Sequence, residues 1–296
     1  DCLYLNVYVP SKPSKAGPLP VRDVLSFWYG GSWDSGSASF PLYWATQDLE
    51  NYPDPDGTTG NYGIQDQRAA LRWIQANIAY FGGDPSQVTI QGESAGAGSV
   101  SNHLVMPRSS GLFHRGITES GPFAPWSAQP LSVALVKHNQ IAIHVGCFSP
   151  SNPAASASDL SDDEAERAAS DPQVLACLRT KSAKELHDAA GHTPEGLLRW
   201  SPVVDGVELF DTPANLAAAG KIANPVPVIG GFNGNEGSLF MPDDIPHNLN
   251  SSGYRDTVAA FLQNETAADV LVGLYPVQQF QSPWWAVSAI LGGGGM

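Results

Sequence analysis

Val88-Thr89-Ile90-Gln91-Gly92-Glu93-Ser94-Ala95-Gly96-Ala97-Gly98-Ser99-Val100 is the stretch whose reading decides the fold. The β-branched run Val88 to Ile90 is a short strand, and the small residues from Ala97 to Val100 suit a helix packed tightly on a sheet. Between them stands Gly92-x-Ser94-x-Gly96. A serine at a sharp turn from strand to helix is held clear of the sheet in a strained conformation, and the first amides of the helix point toward a bound group. The bare pattern is permissive, because a glycine-rich helix N-terminus capped by a serine has the same letters. Context upstream separates the two.

The apolar run Val24 to Trp28 delivers the chain into Tyr29-Gly30-Gly31-Ser32-Trp33, a buried strand followed by a glycine turn with exposed amides. Paired with the serine turn, this marks Ser94 as the candidate nucleophile. Donors are then needed where negative charge develops on a carbonyl oxygen. Gly31 and Ser32 are the candidates from the glycine turn, and Ala95, the residue after the nucleophile, supplies the third amide. Apolar positions Ala70, Trp73, Ile74 and Ile78 recur with helical spacing between Asp66 and Tyr80, and Gly82-Gly83-Asp84-Pro85 ends that helix. Near the start, Leu3, Leu5, Val7 and Val9 alternate with Tyr4, Asn6 and Tyr8, the period of a half-buried strand ending at Pro10. A later strand, Val226 to Phe232, continues the alternation of strands and helices. That order predicts a largely parallel sheet covered by helices.

Composition bounds the rest. The 296 residues, 42% hydrophobic, make one domain over 1–296 the expectation, burying roughly three quarters of its unfolded surface. The formal charge of −14 makes nucleic acid an unexpected partner, and no apolar run is long enough for a membrane span. Cys2, Cys147 and Cys177 have neither CxxC nor zinc-ligand spacing, so no metal site is expected. Cys147 and Cys177 could close a loop around a polar segment. Two sequons, at Asn250 and Asn264, fit glycosylation in an oxidising compartment, and with the cysteines they point to a secreted protein or the secretory lumen.

Several separated segments together resemble the type B carboxylesterases, the family of carboxylesterases and cholinesterases. They are Asp1 to Asn6, the glycine turn at 30–32, Gly60-Asn61-Tyr62-Gly63 with Asp66-Gln67, and Phe81 to Ala97. Leu112 to Arg115 with Ser120-Gly121, Pro202 to Gly206 and Asn235-Glu236-Gly237 complete the set. The resemblance implies an α/β-hydrolase fold, a mostly parallel central sheet flanked by helices, here incomplete. It implies a carboxylic-ester hydrolase that works through an acyl-enzyme on a small-molecule ester, without a cofactor. Glu236, in a loop after a strand, matches the family's triad acid; read without the family it is an ordinary turn glutamate. Glu93 and Trp126 match substrate-gorge positions. By position, Cys147 and Cys177 resemble a family disulfide, and Cys2 resembles half of another.

Two departures set further expectations. The family supplies its general base from a Gly-x-x-His-type loop well beyond the acid, and His247, the only histidine after Glu236, comes too early to be that residue. The chain as written is therefore expected to be nearly inert. Between Ser39 and Gly60 a hydrophobic strand of the family is replaced by a polar Asp/Pro/Gly loop, which implies either a rearranged sheet or a truncated or mis-spliced product. Rival readings are a non-catalytic adhesion protein of the neuroligin kind, which generally lacks the serine, and a lipase with a lid, which shares only the elbow.

Overall fold

The computed structural model describes residues 5–9, 23–33, 60–192, 200–242, 245–262 and 264–294. Cys2 and the stretch between Ser39 and Gly60, on which two of the expectations above fall, lie outside these residues except for Gly60 itself.

Strand β1 (Val24–Trp28) shows the period-2 pattern its residues dictate: Val24 and Trp28 are buried, Leu25 and Phe27 exposed. Helix α1 (Tyr62–Asn77) buries Ile64, Arg68, Leu71 and Ile74 along one face. It begins four residues earlier than the apolar spacing predicts, for a tertiary reason. Asn61, left-handed at φ 57°, is fully buried and its side-chain amide exchanges hydrogen bonds with the backbone of Val203 at 2.9 and 2.8 Å. A 3₁₀ turn, Ile78–Phe81, and Gly82 at φ 85° end the helix.

Strand β2 (Val88–Glu93) and helix α2 (Ala95–Val105) flank the serine turn, and every residue of α2 is buried. Strand β3 (Arg115–Glu119) follows. β1 pairs parallel with β2, Val24 opposite Val88 and Trp28 opposite Gly92, and β2 pairs parallel with β3, Glu93 opposite Glu119. Parallel strands of this kind are buried by helices on their faces, and here Leu71, Ile74, Val100 and Leu104 from α1 and α2 pack with Val24, Val88 and Ile90.

A short parallel pair, β4 (Gln129–Pro130) and β5 (Val203–Val204), brackets a helical excursion. The excursion comprises α3 (Leu131–His144), α4 (Asp162–Ser170), α5 (Pro172–Leu178) and α6 (Ala183–Ala190). Its polar helices start where side chains satisfy the free amides: Ser161 with Glu164 and Ser182 with Glu185 form capping boxes, and Asp171 caps α5. Ile141, Ala142, Val174, Leu178, Ala189 and Trp200 form its core. Cys147 and Cys177 are disulfide-bonded across 30 residues. Helix α7 (Pro213–Ala218) leads to β6 (Val228–Gly231), which follows β3 in the order β1-β2-β3-β6. The Gly116 amide bonds the Pro227 carbonyl at 3.0 Å.

Residues 5–9 form no strand, although their alternation predicts one. Leu5 and Val9 are exposed while Val7 packs on the core beside β1. An alternating pattern chooses a face only where a neighbouring strand offers a ladder.

The chain divides into two units, 1–229 and 230–296. In the second, the 3₁₀ turn Glu236–Phe240 precedes α8 (Ser251–Leu262), α9 (Glu265–Leu274) and α10 (Pro283–Gly294). Tyr254, Val258, Ala268, Val287 and Ile290 form its core. The α-carbon of Gly237 lies directly on α10: a β-carbon there would be 2.6 Å from the Gly292 nitrogen and would overlap the Ser288 carbonyl. Among the described residues no helix is long and apolar enough to cross a membrane.

Candidate active site

Ser94 sits between β2 and α2 with φ 55° and ψ −120°, a strained conformation for a residue with a side chain. Close backbone approaches hold it there. Its amide bonds the Glu119 carbonyl at the end of β3 at 2.9 Å, and its carbonyl accepts from Gly98 at 3.0 Å. A side chain on Gly92 would run into the backbone of Gly96, and one on Gly96 would run into the Trp28 carbonyl. The glycines thus let strand, turn and helix meet at backbone distance, and Ala95 opens the helix with its amide in the first turn, where amides lack intrahelical partners.

The glycine turn lies against this elbow. A β-carbon on Gly30 would stand 2.7 Å from the Glu93 carboxylate and 3.0 Å from the Ser94 β-carbon. Gly31, Ser32 and Trp33 all have positive φ, 106°, 56° and 58°. For serine and tryptophan this is a costly conformation, and it turns the backbone of the loop tightly around. Ser94, Ala95, Glu93, Gly31 and Ser32 are therefore brought together within the first unit. Trp126 joins them: its ring packs edge-on to Trp33 at 5.6 Å and fits against Gly121, where a β-carbon would come within 2.6 Å of the ring and 3.5 Å of the Ser94 carbonyl. Glu236 belongs to the second unit, partly exposed at the start of its 3₁₀ turn, with its carboxylate accepting from the Asn233 amide at 2.6 Å.

The histidines have their own surroundings. His103 is buried in α2, its ring 4.7 Å from that of Trp28, and burial, aided by the charge of Arg68, lowers its pKa to about 3. His114 pairs with the Val88 backbone, His138 is buried against the Ala168 carbonyl, and His144 stacks on His192 at 4.0 Å. His187 is exposed on α6, and His247 stacks on Trp284 in the second unit. Below α2, Arg68 forms a buried ion pair with Glu208, which Arg108 also reaches. No group of three or more histidines, cysteines or acids able to hold a metal occurs among the described residues.

Sequence reasoning missed Trp33 as a neighbour of Trp126 beside the elbow, since it took Trp33 only as the end of the glycine turn. The one available signal was the pairing of large aromatics with isolated glycines, Gly98 and Gly121, against which Trp33 and Trp126 fit.

The carboxylesterase family model matches residues 52–275. The chain belongs to the carboxylesterase family. Cholinesterase 1 of Branchiostoma lanceolatum is 31% identical over 304 aligned residues, which cover 93% of this chain and 76% of that protein. Acetylcholinesterases of Danio rerio and Electrophorus electricus are 35% and 37% identical over 266 residues, 81% of this chain in each case. The chain spans 38% of the length of each of these two. The parallel sheet with its covering helices is that of an α/β-hydrolase, so this expectation from the sequence holds.

Proposed function

We propose that this carboxylesterase-family chain carries the acyl-transfer machinery of a serine ester hydrolase, with Ser94 as nucleophile and Gly31, Ser32 and Ala95 as oxyanion donors. The observation that carries the reading is the strained Ser94 backbone with the glycine turn seated against its β-carbon. The Ser94 oxygen attacks the carbonyl carbon of a small-molecule ester as a base takes its proton. The three amides hold the resulting oxyanion, and collapse expels the alcohol, which takes the proton back. Water then repeats the sequence on the acyl-enzyme and releases the acid. Glu93 and Trp126 border the acyl site, and Glu236 is the acid that orients the base.

We read the base as absent from these 296 residues, because His247, the only histidine after Glu236, comes too early in the chain for the family's base. The 296 residues alone therefore turn over esters slowly, because loss of the histidine of a triad costs on the order of a million-fold. The exposed Asn250 and Asn264 are N-glycosylation sites and, with the Cys147–Cys177 bond, support a secretory location.

The test is hydrolysis of a p-nitrophenyl ester with imidazole supplied as external base, comparing the chain with Ser94→Ala. Expected is negligible hydrolysis without imidazole and a Ser94-dependent rate with it. Rates equal in the two proteins would remove Ser94 from the reaction, and fast Ser94-dependent hydrolysis without imidazole would show that a base is already present.

A further inference from the structure

Beneath the elbow runs a continuous chain of hydrogen bonds that the acyl-transfer reading does not use. Arg68 Nε donates to Ser109 Oγ at 3.4 Å, and Ser109 Oγ meets His103 Nδ1 at 2.7 Å. His103 Nε2 meets Gln67 Oε1 at 3.1 Å, and Gln67 Nε2 donates to Ser99 Oγ at 3.1 Å. Ser99 Oγ donates in turn to the Ala95 carbonyl at 3.0 Å and accepts the Trp33 indole N–H at 3.0 Å.

The direction of every bond follows from what each atom can do. Gln67 Oε1 only accepts, so the His103 proton is on Nε2, and Nδ1 accepts from the Ser109 hydroxyl. The guanidinium only donates. Each hydroxyl then gives one proton and receives at least one, with no conflict along the line. Burial keeps His103 uncharged down to about pH 3, so protonation does not reverse the order in the working range of an esterase. The Arg68 charge at the head of the chain, itself held by Glu208, polarises the bonds that follow.

We propose that Ser99 is the positioning residue of the oxyanion site, clamping the glycine turn to the nucleophile helix. Ser99 stands on α2 itself, where its hydroxyl bonds back to the Ala95 carbonyl one turn earlier, and through Trp33 it holds the turn that presents Gly31 and Ser32. Ser99 is 1% exposed and touches no substrate, so it acts through the three amides. Trp33 and Ser99 are 66 residues apart in sequence, and the positive φ of Ser32 and Trp33 gives the turn a reason to relax once the clamp is gone. The inference rests on the reading of Ser94 as nucleophile.

The experiment has two arms. In ¹⁵N-tryptophan-labelled protein, with the Trp33 indole assigned by Trp33→Phe, Ser99→Ala is expected to speed indole N–H exchange by about tenfold, the loss of one buried hydrogen bond. Unchanged exchange overturns the proposal. In imidazole-supported hydrolysis, Ser99→Ala and Trp33→Phe are each expected to lower kcat by roughly 10- to 100-fold with KM for the ester unchanged, the signature of misplaced donors rather than weakened binding. The double variant should be no worse than the poorer single one. A wild-type kcat in both single variants, in an assay that Ser94→Ala abolishes, overturns the clamp and leaves Ser94 standing. A wild-type rate in Ser94→Ala overturns the nucleophile and the clamp with it. If Ser99→Ala fails to fold, Trp33→Phe, which removes the indole donor together with the part of the ring that meets Gly98, carries the kinetic arm.

Discussion

Gly96 and Gly63 show how one residue type does opposite work in one chain. Gly96 faces the Trp28 carbonyl with room for a hydrogen only, whereas Gly63, in the first turn of α1, has nothing within 4 Å of where a β-carbon would stand. Gly96→Ala is expected to destabilise the fold by about 2 kcal/mol or more through forced separation of strand and helix. Gly63→Ala is expected to stabilise it by ~0.5 to 1 kcal/mol by restricting the unfolded chain. Urea denaturation of the two variants checks both signs. Gly96 was legible in the sequence because the G-x-S-x-G spacing carries its own steric reason. Trp33 and Ser99 were not, since nothing local tells an indole which hydroxyl it will meet on a helix far along the chain. Glu236 could be singled out as a candidate acid only through the resemblance, since a glutamate in a turn after a strand has no pattern of its own.

At the scale of elements, strands and helices were read where burial follows a simple period and misread where a long-range contact decides. The β1 run and the β2 turn are of the first kind. The start of α1, set by Asn61 gripping Val203, and residues 5–9, whose alternation joins no ladder among the described residues, are of the second. The excursion α3–α6 depends on small local devices: capping boxes, a modest core and the Cys147–Cys177 bond. Its helices are short and its polar surface large, so the cross-link matters more here than it would beneath the sheet. Closing 30 residues stabilises by ~3 to 4 kcal/mol on the chain-entropy estimate. Replacing both cysteines by serine is expected to raise amide exchange throughout α3–α6 first, and to leave exchange in β2 and α2 near wild type. Uniform loss of protection in every element would contradict this.

For the molecule as a whole, the buried His103 makes stability depend on pH. Its pKa in the folded protein is about 3 against 6.5 for the free side chain, so between those values the unfolded chain binds a proton that the folded chain refuses. The stability that comes from keeping this imidazole neutral is complete above about pH 6.5 and is lost as pH falls toward 3, by roughly 1.4 kcal/mol per unit. A His103→Gln variant should lose stability less steeply from pH 6.5 to 4.5, by one proton in the slope, when urea midpoints of the two proteins are compared. Parallel slopes would mean that His103 titrates normally. In the second unit, the contact of Gly237 with Ser288 and Gly292 makes the Glu236 turn a passenger of α10. With no side chain between them to absorb a shift, the Glu236 carboxylate follows that helix wherever it moves, and a spectroscopic label placed on α10 is in effect a label on Glu236.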